Sequence, residues 1–88
     1  MKIGRVVGAL WATKKVPELA GIPFLLVEPE GGGELFAVAD SVGAGPGERV
    51  LIAQGSAARL KEGQPLDARI IGIIDAVESW KEDGNVGQ

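Results

Sequence analysis

Only one stretch of this sequence, Ser56 to Leu60, reads as a convincing helix; the rest of the periodicity is mostly that of strands, punctuated by glycine and proline. That punctuation is the strongest constraint on the fold. With 14 glycines and 5 prolines in 88 residues, no amphipathic helix of ordinary length fits, and the chain is left with short strands.

The first strand is expected from Lys2 to Ala12. Ile3, Val7, Ala9 and Trp11 share one parity, Val6, Leu10 and Ala12 the other, and Gly4 and Gly8 allow a bend or a close backbone approach. Pro17 and Gly21 limit the loop Thr13 to Gly21 to one helical turn at most, at Glu18 to Ala20. A second strand, Phe24 to Glu28, ends at Pro29, and Glu30-Gly31-Gly32-Gly33-Glu34 reads as a hairpin-like connection to a third, Leu35 to Asp40. Ser41 to Gly47 holds three glycines and a proline, and Glu48 to Gln54 is the fourth strand.

In the short helix Ser56 can act as N-cap, and Gly63 and Pro65 stop it. The last strand is expected from Ala68 to Trp80. Ile70, Ile71, Ile73 and Ile74 make both its faces apolar, so it is central, bends across two sheets, or packs on a partner chain.

Five strands and one short helix before the last of them predict a mainly β fold, a small closed or half-closed OB-like antiparallel β-barrel with one short helix. Closure would remove the exposed edges of an open five-stranded sheet. The length allows one domain, residues 1–80, with 81–88 as a polar C-terminal tail.

The chain has no Cys and no His. Disulfides, thiolate zinc sites, iron–sulfur clusters and a thiol nucleophile are therefore excluded, and the commonest general base is missing. No catalytic residue, cofactor or metal is expected. A net charge of −3 and a pI near 4.8 argue against a basic nucleic-acid footprint. Gly4, Arg5 and Gly8 break up any apolar signal core, and no run approaches the length of a membrane span. The expectation is a cytosolic protein without membrane partners.

Gly43-x-Gly45-x-Gly47 resembles a phosphate-binding loop, but a strand follows where that loop should open a helix, and Glu48 would repel the anion. A tight inter-strand connection is the simpler reading, compatible with close approach to another subunit. Gly55-Ser56-Ala57-Ala58-Arg59 is either a capped turn with a solvated Arg59 or a small-residue helix packed near a symmetry axis. Asp40, Glu48, Asp67 and Asp75 are scattered, and a solvated or salt-bridged surface is their default. Trp11, Phe24, Phe36 and Trp80 leave one alternative open, an OB-fold module for single-stranded nucleic acid, although at least two of the four are expected in the core.

The run from Asp40 to Arg59, DSVGAGPGERVLIAQGSAAR, resembles the central signature of the EutN/CcmL family, the pentameric vertex proteins of bacterial microcompartment shells. Ile3 to Gly8 with Trp11 to Lys14 is similar to that family's first strand. Leu19 to Gly21 with Leu25 to Val27 is similar to its second, and Pro65 to Ala68 with Ile71 to Asp75 to its last. The resemblance covers about residues 2–78. It departs from the family at Gly21-Ile22-Pro23-Phe24, where a basic residue is more usual, and at the triple-glycine loop.

The resemblance implies a structural, non-catalytic homopentamer in the bacterial cytoplasm. It would cap the fivefold corners of a shell whose facets are hexameric tiles. It also implies that Gly43, Ala44, Gly45, Gly55, Ser56, Ala57, Ala58 and Arg59 lie near subunit contacts and a narrow axial opening.

Overall fold

Val6, Val27, Val38, Val50, Ile52, Ala68 and Ile70, drawn from five strands, bring their side chains together in one core. β-branched residues suit this arrangement because they pack well on a half-buried pleated surface. The computed structural model describes residues 1–12, 14–58 and 66–80. The strands are β1 (Lys2–Leu10), β2 (Phe24–Pro29), β3 (Phe36–Asp40), β4 (Arg49–Gln54) and β5 (Ala68–Ile73). Two single 3-10 turns accompany them, Pro17–Leu19 and Gly55–Ala58.

The strands close into a barrel in the order β1-β2-β3-β5-β4. Four seams are antiparallel, but β3 and β5 pair in parallel through Ala39↔Arg69 and Asp40↔Ile70. The barrel is therefore not antiparallel throughout, as the sequence reading had it. The reason is parity: directions that alternate around a ring of five leave one seam where two neighbours run the same way.

Gly4 supplies a close approach. Its backbone is buried on the inner face, and a Cβ there would run into Val27 Cγ1 and lie 2.9 Å from the Glu28 carbonyl oxygen. Gly8 is different, with only ordinary contact to Leu26 at 3.5 Å. It follows an irregularity at Val7, where β1 shifts its register against β2.

Two of the expected strands end early, and the expected helix takes another form where it is described. β1 stops at Leu10 rather than Ala12. β5 stops at Ile73 rather than Trp80, because its ladder partner β4 begins at Arg49; the last bond runs from Ile74 N to Arg49 O at 2.9 Å. The expected helix is a 3-10 turn over Gly55–Ala58; the remainder of the expected helix and the 81–88 tail lie outside the described residues.

Candidate functional site

The connection between β3 and β4 takes its shape from Asp40. Oδ1 accepts the backbone N–H groups of Val42 and Gly43, and Oδ2 that of Ala44, each at 3.0 Å. Asp40 is only 9% exposed, so it is not the solvated surface carboxylate expected from the sequence. An aspartate opening a glycine-containing loop is a recognisable signal for such side-chain-to-backbone capture. Gly43 and Gly47 both take φ near +80°, the left-handed region where a Cβ is strained. Farther along, Gly45 N donates to Glu48 Oε1 at 2.6 Å and Gly47 N to the Val6 carbonyl at 2.8 Å.

This wiring bears on anion binding. A phosphate-binding loop needs amides pointing at the ligand. Here the amides of residues 42, 43, 44, 45 and 47 are all turned onto acceptors of the chain itself. The loop is a packed connection, and half-buried Ala44 rests against the core cluster.

The second small-residue segment begins at Gly55, with φ +66° and its N–H donating to Asp67 O at 2.8 Å. Gly55 and Ala57 are exposed, whereas the Ala58 side chain is fully buried within its own chain. Ser56 lies inside the 3-10 turn; its side chain and Arg59 lie outside what is described.

Arg69 joins the two segments. It is 4% exposed, its Nε donates to the Ala58 carbonyl at 2.6 Å, and its Nη1 donates to the Ser41 hydroxyl. One guanidinium thus ties the start of the glycine loop to the 3-10 turn. Sequence reasoning missed this residue. The available signal was a lone cation inside the apolar run Ala68 to Ile74.

Several large apolar side chains lie on the outer surface. Ile71 and Ile73 on β5, Val7 and Leu10 on β1, and Trp11, Val77 and Trp80 beyond the strands are all exposed. Phe24 and Phe36 are half-buried instead, with Lys15 Nζ 5.6 Å and Lys2 Nζ 5.0 Å from their ring centres. Arg5 and Arg49 sit directly opposite each other on β1 and β4, a like-charge pair. Glu30 takes a forked ion pair from Arg49, and the Gly47 carbonyl accepts from Arg5 Nη1 at 2.6 Å. The Arg49 hydrogen bond holds the Glu30 carboxyl below the usual glutamate range against an opposing effect of desolvation, with smaller help from the charges of Arg49 and Arg5.

The barrel, its glycine loop and its order of strands can be compared with known proteins. A family model described as ethanolamine utilisation protein EutN/carboxysome matches residues 1–75. The chain belongs to the EutN/CcmL family. It is 46% identical over 85 residues to the carboxysome shell vertex protein CcmL of a Synechocystis species, covering 88% of this chain and 85% of that one. The pentameric microcompartment shell protein GrpN from Rhodospirillum rubrum superposes with a TM-score of 0.82 at 38% identity, covering 90% of this chain and 99% of that one. The ethanolamine utilization protein EutN from Escherichia coli superposes with a TM-score of 0.77 at 37% identity, covering 90% and 89%. These EutN/CcmL relatives include structural shell vertex proteins and do not favour the nucleic-acid alternative.

Proposed function

We propose that this chain is a structural subunit of a bacterial microcompartment shell, in the bacterial cytoplasm, that assembles as a homopentamer and caps a vertex among hexameric shell tiles. A flat hexagonal sheet cannot close on itself, and a pentagonal unit supplies the missing curvature. A ring built from one heterologous contact closes when its rotation is fivefold. The observation that carries this reading is the family match over residues 1–75, which spans all five strands of the barrel. The exposed isoleucines of β5 support it, since a small barrel that leaves such side chains in water gains by covering them with another copy.

Within the ring, Gly43, Ala44, Gly45, Gly55, Ser56 and Ala57 are the candidates for subunit contacts and the axial opening, with Arg59 adjoining them in sequence. Ala58 contributes through its backbone, because its side chain faces its own core. Native mass spectrometry of the purified protein tests the ring: a species of five chains is expected, and a monomer at every concentration would overturn the reading. Ala57→Trp tests the placement, because Ala57 is exposed. Circular dichroism should be unchanged while the five-chain species is lost.

A further inference from the structure

Gly4 and Val6 on β1 are buried, so Ile3 and Arg5 take the outer face of the barrel. Across the seam with β4 they stand opposite Leu51 and Arg49. A pair of guanidinium groups therefore follows an apolar pair along one strip. Like charges set directly opposite each other are destabilising, so the pair does not serve to hold β1 against β4. Each guanidinium offers five N–H donors, and each spends one nitrogen. Arg5 Nη1 donates to the Gly47 carbonyl at 2.6 Å. Arg49 Nη2 donates to both Glu30 oxygens, with Oε2 at 2.6 Å. Among the described residues, Nε and one terminal nitrogen of each arginine meet no acceptor of the chain.

Both arginines line a cleft of about 490 Å³, together with Glu28, Glu30 and the bare backbone of Gly31 and Gly32. A Cβ at either glycine would meet nothing within 4 Å, so that side of the cleft is open. At Pro29, Glu30 and Gly32 it joins a second cleft of about 820 Å³, which contains Ile3, Leu51 and Phe36. The group now on Arg49 is itself a carboxylate. The Glu30 side chain is 50% exposed and that of Arg49 29%. The backbone around Glu30 is fixed separately, by Glu30 N to Ile3 O at 2.9 Å and Gly32 N to Pro29 O at 3.2 Å. The side chain can therefore rotate off the arginine while the loop stays in place, and an exposed ion pair holds it only weakly. Charge then selects the ligand. Glu28, opposite Arg5 on β2, stays in the cleft. Two arginines against one remaining glutamate leave a single positive charge, the complement of one carboxylate. The adjoining Ile3 and Leu51 suit a short apolar chain attached to it.

We propose that the Arg5–Arg49 cleft is a binding site for a small organic carboxylate with a short apolar chain. The ligand carboxylate replaces that of Glu30 on Arg49 and engages Arg5 as well, and the apolar chain lies against Ile3 and Leu51. A planar guanidinium matches a carboxylate in shape and charge. Glu30 is the resident competitor. It keeps the empty cleft neutral and sets a threshold that a weakly hydrogen-bonding anion such as chloride does not pass. The site goes beyond the shell-subunit reading, and every residue named belongs to one copy of the chain.

Titration of the full-length protein with sodium acetate and sodium butyrate tests the site, at near-neutral pH and with ionic strength held constant by sodium chloride. Arginine Nε–H and methyl resonances are followed by NMR. Saturable shifts at Arg5 and Arg49 are expected with both acids, and at the Ile3 and Leu51 methyl groups with butyrate. Butyrate should bind about threefold or more tighter than acetate, and neutral butyramide should leave the arginine signals unmoved. Glu30→Gln removes the competitor and should tighten butyrate binding about two- to fivefold. Arg49→Gln, with circular dichroism unchanged, should weaken it about tenfold or more. Shifts that fail to saturate, or that chloride alone reproduces, would mean an adventitious ion only and overturn the site. Equal affinity in wild type and Glu30→Gln would overturn the role of Glu30, and butyrate binding no tighter than acetate would overturn the apolar half of the site. None of these readouts depends on the number of chains in the assembly.

Discussion

Arg69 Nε donates a 2.6 Å hydrogen bond to the carbonyl oxygen of Ala58, eleven residues earlier and across the end of the barrel. The same guanidinium reaches the Ser41 hydroxyl. Arg69→Met keeps much of the side-chain volume but removes both donors, leaving a buried carbonyl without this partner. A loss of about 2–3 kcal/mol in urea unfolding is expected. Arg69→Lys should recover only part of it, because an ammonium cannot reproduce the planar fork.

Asp40 makes a second prediction local enough to be read residue by residue. Its carboxylate accepts three backbone amides, from Val42, Gly43 and Ala44. Asp40→Ala should cost about 2–4 kcal/mol, the range for losing charge-assisted bonds at a buried group. Hydrogen exchange at those three amides should accelerate beyond what the global loss explains. Asp40→Asn should fall between, since its amide nitrogen cannot accept.

The two glycines of β1 separate close approach from mere tolerance. Gly4→Ala would force a Cβ into Val27 and the Glu28 carbonyl. A destabilisation of about 2–3 kcal/mol in thermal or urea unfolding is expected from such overpacking. Gly8→Ala meets only Leu26 at ordinary distance. It should change stability by no more than about 1 kcal/mol, with lower unfolded-chain entropy favouring the variant.

Acid should weaken the tie between the β2–β3 connection and β4. The folded protein holds the Glu30 carboxyl below its ordinary value, chiefly through the Arg49 hydrogen bond. Its contribution is therefore complete above the ordinary glutamate pKa, near 4.3 by model peptides, and is lost as the pH falls through the lowered value. Melting temperatures of wild type and Glu30→Gln should differ by a constant amount between about pH 5 and 7 and converge below about pH 4. Added salt should narrow the gap, because both partners are partly exposed.

Much of this was legible in the residues themselves. Four strand starts and ends fall within a residue or two of where proline, glycine and period-two alternation put them, and the turn expected at Glu18 to Ala20 appears at Pro17–Leu19. Those boundaries are set by steric limits on φ and ψ that act over a few neighbouring residues. The family, too, was written in the run from Asp40 to Arg59.

What the chain alone left open depends on partners far away in sequence. The order β1-β2-β3-β5-β4, its single parallel seam and the early end of β5 follow from which strands meet and how long each partner is. Asp40 looked like a surface acid and Arg69 drew no notice, because their burial is created by a loop and a turn that come together only when the barrel closes. Ala58 and Ala57 are identical side chains one residue apart, yet the first faces its own core and the second faces outward. Local sterics decide where a strand can begin and end; long-range packing decides which side chains are enclosed, and so which surface is left for another copy.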